Sequence, residues 1–553
     1  MKKAFLIPAA LCGIFFGPAS PAAAEDPILR AGIMTDTHIG QTAESCAHVR
    51  KAFEIFRAQK ADLVIHLGDI ANDHSPSGYR HYRRIFNEVF PEPRPAELFV
   101  FAGHDARGFR GTEEEAYKAV AKEIGAWNPA CGRLVLKGYP FLVFQEAPKL
   151  RRYEEAIAGA EKEFPGKPIF VLDHEPPVDT TYHSLFWGSR KLRTVLERHP
   201  RVVQFTGHAH GSVRDERNIW QGKFTSISAG CLQRWDGMLV GAPAYGKKSD
   251  GMLLLEVYPG KLVIRRFEYL TGREYGAGKR WIVPLPFDGK TAPYAPERRS
   301  AALPVPEFVP GAALKTAFEP AGLRLRFPEA SDGVAEYRIG IEKAGADGKW
   351  IPFARHDQFS GFYLHKPPKE WKILLNRGYF ESGRKYRVTV APMGFGGRYG
   401  KELATVFTAP AFPENRVVFD CADPMKELPF KSLRKGQDLP HQEGFYLLKT
   451  PAELTLPDGI WKGAPKNARF RLIADIRFRQ SARRPWALWA FDPKNRFYLT
   501  VRICTVPGDA GMMRYATDFQ LDAPGDGTRC VIKFAGGDPG LVRFGRIRVE
   551  RIR

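Results

Sequence analysis

The 553-residue sequence is poor in cysteine, with seven residues of this type and no Cys-x-x-Cys pair. This scarcity excludes a disulfide-rich scaffold and a zinc-finger arrangement. Cys421, Cys504 and Cys530 fall in the last part of the chain, where one disulfide is open to them, and sequence alone does not define the pair. Beyond the N-terminus the sequence also lacks a run of about 18 apolar residues, so it predicts no membrane-spanning helix.

Acidic residues are fewer than basic ones, 61 against 83, which gives a formal net charge of +22. The basic residues are spread along the whole chain, without a clustered arm, a zinc finger or an aromatic RNA-binding signature. We therefore predict no nucleic-acid partner. A basic surface still raises the encounter rate with anionic substrates.

The N-terminus has the order of residues typical of a secretory signal. Lys2 and Lys3 precede an apolar stretch, and the small residues 22–24 precede Glu25. This order predicts a cleaved signal peptide over residues 1–24 and a secreted or periplasmic protein.

Three stretches of different texture follow the signal. Over residues 25–280, short apolar runs alternate with amphipathic segments, which predicts an α/β layered domain with a mixed sheet. Residues 281–310, rich in Pro and Ala, are predicted to be a linker. Residues 311–410 and 411–553 show short alternating strands separated by turns, so each is predicted to form an all-β sandwich.

Aspartate and histidine residues cluster directly after the apolar runs of the first domain. The clusters are Asp36-Thr37-His38, Gly68-Asp69, Gly103-His104-Asp105, Asp173-His174 and Gly207-His208-Ala209-His210. Because open α/β sheets place their ligands beyond the carboxyl ends of their strands, we expect these clusters to meet at one rim. A mixed set of imidazole and carboxylate ligands suits zinc, iron or manganese.

This series of motifs resembles the calcineurin-like metallophosphoesterase superfamily over about Ile28–Arg273. The resemblance implies a four-layer α/β/β/α sandwich with two divalent or trivalent metal ions (Fe, Mn or Zn) at one edge. By position in the motifs, Asp36, His38 and His210 would hold the first metal. His174 and His208 would hold the second, and Asp69 would bridge the two.

The same resemblance implies hydrolysis of a phosphoester by a metal-activated water. His104 would stabilise the charged transition state or protonate the leaving oxygen, and Asp105 would orient its ring.

One position departs from the family pattern. The family motif is Gly-Asn-His-Asp/Glu, in which the Asn binds the second metal, and Gly103 stands at the place of this Asn. Three alternatives follow: a water fills the position, Asn72 or Asp73 reaches in, or the second site is weak.

The remaining assignments concern the substrate and the β-rich domains. His183, in a loop after His174, and Arg234 with Trp235, after Gly230-Cys231, are candidate substrate-binding residues. The middle domain resembles a fibronectin type III module and the last a jelly-roll carbohydrate-binding module, so carbohydrate is an alternative partner there.

The sequence thus predicts a small phosphoester as the substrate, a phosphomonoester or a phosphodiester. The alternative is a non-catalytic or weakly active metal-, phosphate- or glycan-binding protein that retains the fold.

Overall fold

We describe the protein from a computed structural model. It covers residues 25–552 except 41, 126–130, 146–149, 183, 185–187, 233–250, 270, 276–278, 288–290, 332, 365–367, 433–438, 440, 443, 449–451, 480–482, 492–496, 508–510, 522–523, 525–527 and 535–539. The predicted signal peptide and three candidate substrate-binding residues (His183, Arg234 and Trp235) lie outside the described residues. Among the described residues, no helix combines the length and apolarity needed to cross a bilayer.

The N-terminal region alternates strands with helices. Its strands are β1 (Leu29–Met34), β2 (Leu63–Leu67), β3 (Ala96–Val100), β4 (Cys131–Leu136), β5 (Tyr139–Phe144), β6 (Ile169–Leu172), β7 (Val202–Thr206), β8 (Ile219–Gln221), β9 (Thr225–Ser228), β10 (Gly251–Tyr258), β11 (Lys261–Glu268) and β12 (Trp281–Pro284). Its helices are α1 (Ser45–Ala58), α2 (Pro76–Val89), α3 (Gly103–Ala106), α4 (Glu113–Ile124), α5 (Leu150–Glu163) and α6 (Arg190–Leu196).

These strands form two mixed six-stranded sheets. The first has the order β12-β11-β10-β1-β2-β3 and the second the order β4-β5-β6-β7-β9-β8. Strands β1, β2 and β3 run parallel in the first sheet, and β5, β6, β7 and β9 run parallel in the second. The predicted mixed sheet is confirmed. The carboxyl ends of β1, β2, β3, β6 and β7 carry the Asp and His clusters.

Apolar contacts arrange the two sheets and the helices in four layers. The inner faces of the sheets share one buried core. Helices α1, α2 and α4 pack on the outer face of the first sheet, and α5 and α6 pack on the second. In α1, Val49, Phe53 and Phe56 lie one helical turn apart and are fully buried. Each Phe contributes about 1.5–3 kcal/mol through burial. The predicted four-layer α/β/β/α fold is confirmed.

The predicted linker over residues 281–310 differs from the structure. Its first four residues are strand β12, which pairs with β11 and extends the first sheet. Trp281 and Val283 are buried while Ile282 is exposed, so the strand period of two is present within a Pro-rich stretch. Residues Pro296–Ala302 form a further helix, α7.

The rest of the chain is almost entirely β-structure. Its strands are β13 (Lys315–Glu319), β14 (Gly322–Pro328), β15 (Val334–Ala344), β16 (Trp350–Phe359), β17 (Glu370–Asn376), β18 (Lys385–Gly394), β19 (Leu403–Thr408), β20 (Arg416–Cys421), β21 (Phe430–Ser432), β22 (His441–Gln442), β23 (Phe445–Leu448), β24 (Ala452–Thr455), β25 (Ala468–Arg479), β26 (Arg483–Phe491), β27 (Phe497–Pro507), β28 (Met513–Leu521), β29 (Arg529–Phe534) and β30 (Gly540–Arg551). A one-turn helix, α8, spans Pro424–Glu427. Short 3₁₀ helices span Glu216–Asn218 in the first domain and Gly361–Tyr363, Arg377–Tyr379 and Asp458–Trp461 in this part of the chain.

These strands make two sandwiches, as predicted. Sheets β13-β14-β17 and β16-β15-β18-β19 enclose one core. The last sandwich joins the sheet β22-β23-β30-β25-β28, to which β20 pairs at β30, with the sheet β21-β24-β29-β26-β27. Cys421 and Cys530 are buried in this domain and are not bridged. Trp461 is fully buried there as well.

A buried polar network joins the first domain to the middle sandwich. Arg217 donates to Glu336 Oε1 (2.8 Å), to Tyr363 Oη (2.9 Å) and to Asp215 Oδ2 (2.9 Å). Its guanidinium stacks 3.7 Å from the ring of Tyr182, whose hydroxyl also donates to Glu336 Oε1 (2.8 Å). Tyr182 follows His174 in the chain and Arg217 follows His210, so two loops that start at the rim are anchored by the sandwich.

Candidate metal centre

Hydrogen bonds between loops hold the rim together. The Asp36 N–H donates to the Gly68 carbonyl (3.0 Å) and the His38 N–H to the Asp69 carbonyl (3.0 Å). On the second sheet, the Gly207 N–H donates to the His174 carbonyl (3.1 Å). The predicted clusters are therefore brought together at one edge of the two sheets.

The backbone at this rim adopts a conformation that side chains rarely tolerate. Left-handed φ angles occur at Asp36 (51°), His38 (41°), Asp69 (53°), His208 (64°) and His210 (47°). Each such non-glycine residue costs about 1–3 kcal/mol, a strain that concentrates at functional sites. All five residues are predicted metal ligands.

Two glycines are required by the close approach of the loops. A Cβ on Gly68 would lie 2.8 Å from His174 Nδ1, and Gly68 itself has a φ of +100°. A Cβ on Gly207 would lie 2.0 Å from Thr35 Oγ1 and 2.6 Å from Asp36 Oδ2. The absence of side chains at both positions lets the ligand loops touch.

The ligand atoms form three overlapping groups, in each of which all atoms lie within 4.8 Å of one another. The groups are Asp36 with His38 and His210, His38 with Asp69 and His104, and Asp36 with Asp69 and His174. Asp36 Oδ1 lies 2.9 Å from His210 Nε2, and Asp69 Oδ2 lies 3.4 Å from His174 Nε2. At the place predicted for two metals, histidine nitrogens therefore lie close to the carboxylates of both Asp36 and Asp69.

The predicted ligand His208 stands slightly apart from these groups. Its ring centroid lies 5.0 Å from that of His174, and its backbone N–H donates to Asp36 Oδ2 (3.0 Å). Among the described residues, His104 rather than His208 completes a third group.

The protonation of these groups suits metal ligation. Burial lowers the pKa of His38 to about 3 and that of His208 to about 4, so both imidazoles are neutral near pH 7. Burial opposes ionisation of Asp36 and Asp69, but the neighbouring histidines hold both pKa values below the usual range. Ionised carboxylates and neutral imidazoles are the donor set of zinc, iron and manganese sites.

A hydrogen bond outside the donor set orients His174. Its Nδ1 donates to the Leu67 carbonyl (2.7 Å), which turns Nε2 toward the two aspartates. Metal-bound histidines are commonly fixed through their second nitrogen in this way. The residues present therefore fit a dinuclear metal centre.

The family model described as calcineurin-like phosphoesterase matches residues 29–212. Residues 29–212 are a calcineurin-like phosphoesterase domain. The domain match supports metal-dependent phosphoester hydrolysis in general. No curated protein matches the chain significantly.

Solved structures of similar shape are distant in sequence. A dimetal phosphatase from Danio rerio is 10% identical at a TM-score of 0.34, over 47% of this chain and 100% of that one. The purple acid phosphatase PPD1 from yellow lupin (Lupinus luteus) is 12% identical at a TM-score of 0.34, over 46% of this chain and 53% of that one. The CBM22-1 xylan-binding domain from Paenibacillus barcinonensis is 7% identical at a TM-score of 0.20, over 26% of this chain and 99% of that one. At these scores the likeness says nothing about substrate.

In the phosphoesterase domain, His104 lies at the rim with both ring nitrogens engaged. Nδ1 donates to the Asn72 carbonyl (2.6 Å), and Nε2 accepts from the guanidinium of Arg107 (2.8 Å). The ring packs edge-to-face on His38, with 4.5 Å between centroids, and the His104 N–H donates to Asp69 Oδ1 (3.0 Å). The carbonyl of Asn72 therefore fixes the orientation of the imidazole.

The role predicted for Asp105 differs from its contacts. Its Oδ1 accepts from the N–H groups of Ile70 (3.1 Å) and Ala71 (3.3 Å), and Oδ2 accepts from Ala102 (3.1 Å). The Tyr79 hydroxyl lies 3.4 Å from Oδ1. Burial raises the pKa of Asp105 to about 8. Its carboxyl group points into the protein and ties the loop after Asp69 to the turn that carries His104, instead of touching the imidazole.

The structure shows the surroundings of the Asn position of the family motif. Gly103 is exposed and contributes no side chain. Asn72 Nδ2 donates to Asp73 Oδ2 (3.2 Å), and Asp73 belongs to none of the three ligand groups. The three alternatives for the second metal therefore stay open.

Two further residues near the ligands were not predicted. Thr35 is buried and its hydroxyl donates to Asp36 Oδ2 (2.7 Å). Arg107 reaches His104 from the end of α3. Neither has a sequence signal beyond its position beside a ligand cluster. His66, by contrast, is a fully buried core residue, as its place within a strand predicts, and it bonds to Thr37 Oγ1 and the Gly68 N–H.

Proposed function

We propose that this protein is an exported, metal-dependent phosphoesterase that hydrolyses a phosphomonoester or a phosphodiester. One observation carries the proposal: two ionised aspartates and four imidazoles converge within overlapping ligand groups at the rim of a phosphoesterase domain. A buried donor set of this composition has no purpose in packing, because burying polar groups costs free energy unless they are paired or bind a metal.

The proposed ligands divide between two metal ions. The first ion would be held by Asp36, His38 and His210, the second by His174 and His208, with Asp69 shared. A pair of Fe, Mn or Zn ions at such a site supplies Lewis-acid stabilisation of phosphoryl oxygens and an activated water.

His104 is proposed to serve the leaving group. Because its Nδ1 proton is committed to the Asn72 carbonyl, Nε2 is the nitrogen that exchanges a proton with the leaving oxygen. Asp105 supports this indirectly, by holding the backbone turn on which His104 stands.

The test is metal analysis combined with hydrolysis assays on the purified chain. We expect bound metal by elemental analysis, and turnover of p-nitrophenyl phosphate or bis-p-nitrophenyl phosphate with Mn, Fe or Zn. Asp69→Ala should lose both metal and activity, whereas His104→Ala should keep the metal and lose at least about a hundredfold in kcat. His81→Ala, an exposed histidine on α2, is the matched control and should change neither.

The alternative is a metal- or phosphate-binding protein without turnover, and the exposed Gly103 at the Asn position favours it. Metal binding together with absent hydrolysis of both esters under all three metals would establish this alternative. The contacts of His104 with Asn72 and Asp69 favour catalysis, since a binding protein has no need of an oriented imidazole there.

Export and the role of the β domains belong to the same proposal. The signal peptide over residues 1–24 should be absent from the mature protein, which N-terminal sequencing of the secreted or periplasmic fraction would check. A carbohydrate partner of the last sandwich would be detected by glycan-array binding of the full chain.

A further inference from the structure

A guanidinium group stands beside His104 at the mouth of the site. Arg107 follows α3, and its Nη2 donates to His104 Nε2 (2.8 Å). Its side chain is 54% exposed, and the carboxylate of Asp73 lies 4.0 Å from its Nε, beyond hydrogen-bond distance. The guanidinium of Arg107 is therefore a solvent-exposed cation next to His104 Nε2, the nitrogen proposed to exchange a proton with the leaving oxygen.

The position of Arg107 relative to the ligands is fixed by His104. The ring of His104 packs on His38, and its backbone is bonded to Asp69, so Arg107 lies one side chain away from the candidate metal ligands. Gly103, at the other end of the same short helix, supplies no polar side chain. The carboxyl group of Asp105, also in α3, is turned into the protein. Arg107, directly after α3, is thus an exposed polar side chain beside His104 at this rim.

The chemistry of a guanidinium suits a phosphoryl group. Arginine carries five N–H donors in a planar fork that matches two phosphate oxygens. Within the described part of the chain, the Arg107 side chain donates one hydrogen bond, to His104. A phosphomonoester has three terminal oxygens and up to two negative charges, whereas a diester has two such oxygens and one charge. An added cation at this place therefore favours the monoester.

We propose that Arg107 binds a terminal phosphoryl oxygen of the substrate beside His104 and so selects phosphomonoesters over phosphodiesters. The inference rests on the proposed function and names the substrate class of the same site.

The test compares Arg107→Gln and Arg107→Lys with Arg110→Gln, a control that removes an exposed arginine three residues further along the chain. Arg107→Gln should raise KM for p-nitrophenyl phosphate about tenfold, the loss expected for one charged hydrogen bond. The inhibition constant of inorganic phosphate should weaken by a similar factor. Hydrolysis of bis-p-nitrophenyl phosphate should change less than about threefold. Arg107→Lys should recover part of the loss, and Arg110→Gln should match the wild type.

The outcomes separate this inference from the proposed function. Equal KM and phosphate inhibition for Arg107→Gln and Arg110→Gln, with metal content and melting temperature unchanged, would overturn the role of Arg107 while the enzyme remained a phosphoesterase. A wild type that prefers the diester would overturn the selection. If the wild type hydrolyses neither ester, the proposed function fails, and binding of inorganic phosphate by calorimetry still decides whether Arg107 is an anion ligand.

Discussion

The buried network between the phosphoesterase domain and the middle sandwich leads to a stability prediction. Glu336 is 3% exposed and accepts from both Arg217 and Tyr182. Glu336→Ala would leave the Tyr182 hydroxyl without this acceptor and Arg217 with Asp215 as its remaining carboxylate. Removing one partner of a buried ion pair costs about 3–5 kcal/mol, and the retained Asp215 places this case near 3 kcal/mol.

The control is Glu342→Ala on the same strand. Glu342 pairs with Arg387 (3.1 Å), its side chain is 24% exposed, and Arg387 keeps Glu402 as a second partner. Such a pair contributes at most about 1 kcal/mol.

Calorimetry of the full chain measures the difference. With about 2–4 °C per kcal/mol for domains of this size, Glu336→Ala should lower the melting temperature by about 6–12 °C. Glu342→Ala should lower it by no more than about 4 °C. We also expect the first domain and the middle sandwich to unfold together in the wild type and separately in Glu336→Ala. Equal shifts for the two variants would refute the assignment of Glu336 as the anchor between the domains.

Three further predictions concern the rim. Gly103→Asn should raise the affinity for the second metal equivalent, and an unchanged titration of the apo protein would show that the Asn is dispensable here. Gly207→Ala should reduce metal content, because its Cβ would fall 2.0 Å from Thr35 Oγ1, while Gly260→Ala, with no atom within 4 Å, should not; metal analysis of both checks this. Burial lowers the pKa of His66 to about 3 in the folded protein. Below pH 6.5 the His66 imidazole is therefore protonated in the unfolded chain but stays neutral in the folded protein. His66 alone should therefore make the free energy of unfolding of the apo protein fall by up to about 1.4 kcal/mol per pH unit below pH 6.5, in addition to the contributions of His38 and His208. His66→Gln should reduce the slope measured in urea titrations by this amount.

The layered fold was predictable because the central strands are short, mostly apolar runs buried along their whole length, whereas the helices between them are amphipathic and bury one face. The meeting of the Asp and His clusters was predictable because parallel strands bring their carboxyl ends to one edge, where Asp36, Asp69 and His174 follow directly. The hydrogen bond from His104 to the Asn72 carbonyl was not predictable, because a backbone acceptor carries no residue-specific signal. The contact of Tyr182 with Glu336 was not predictable either, because it joins residues 154 positions apart in the sequence.

The extension of the linker's first residues into β12 was missed for a related reason. Pro and Ala dominate the composition there, and four residues of alternating burial are too short a pattern to outweigh it. Only the partner strand β11 makes this segment a strand.

The place of β1 within its sheet also determines how much of the chain must be present before the candidate metal centre can form. Asp36 and His38 follow directly after this strand. Strand β1 pairs with β10, and Leu29 of β1 lies opposite Val257 of β10. More than two hundred residues after β1 must therefore be synthesised before β10 can pair with β1. Contacts between such distant residues slow folding, because the intervening chain must first be ordered. The early aspartate and histidine loops emerge long before His208 and His210, so a complete metal centre can form only once the whole first domain has been translated.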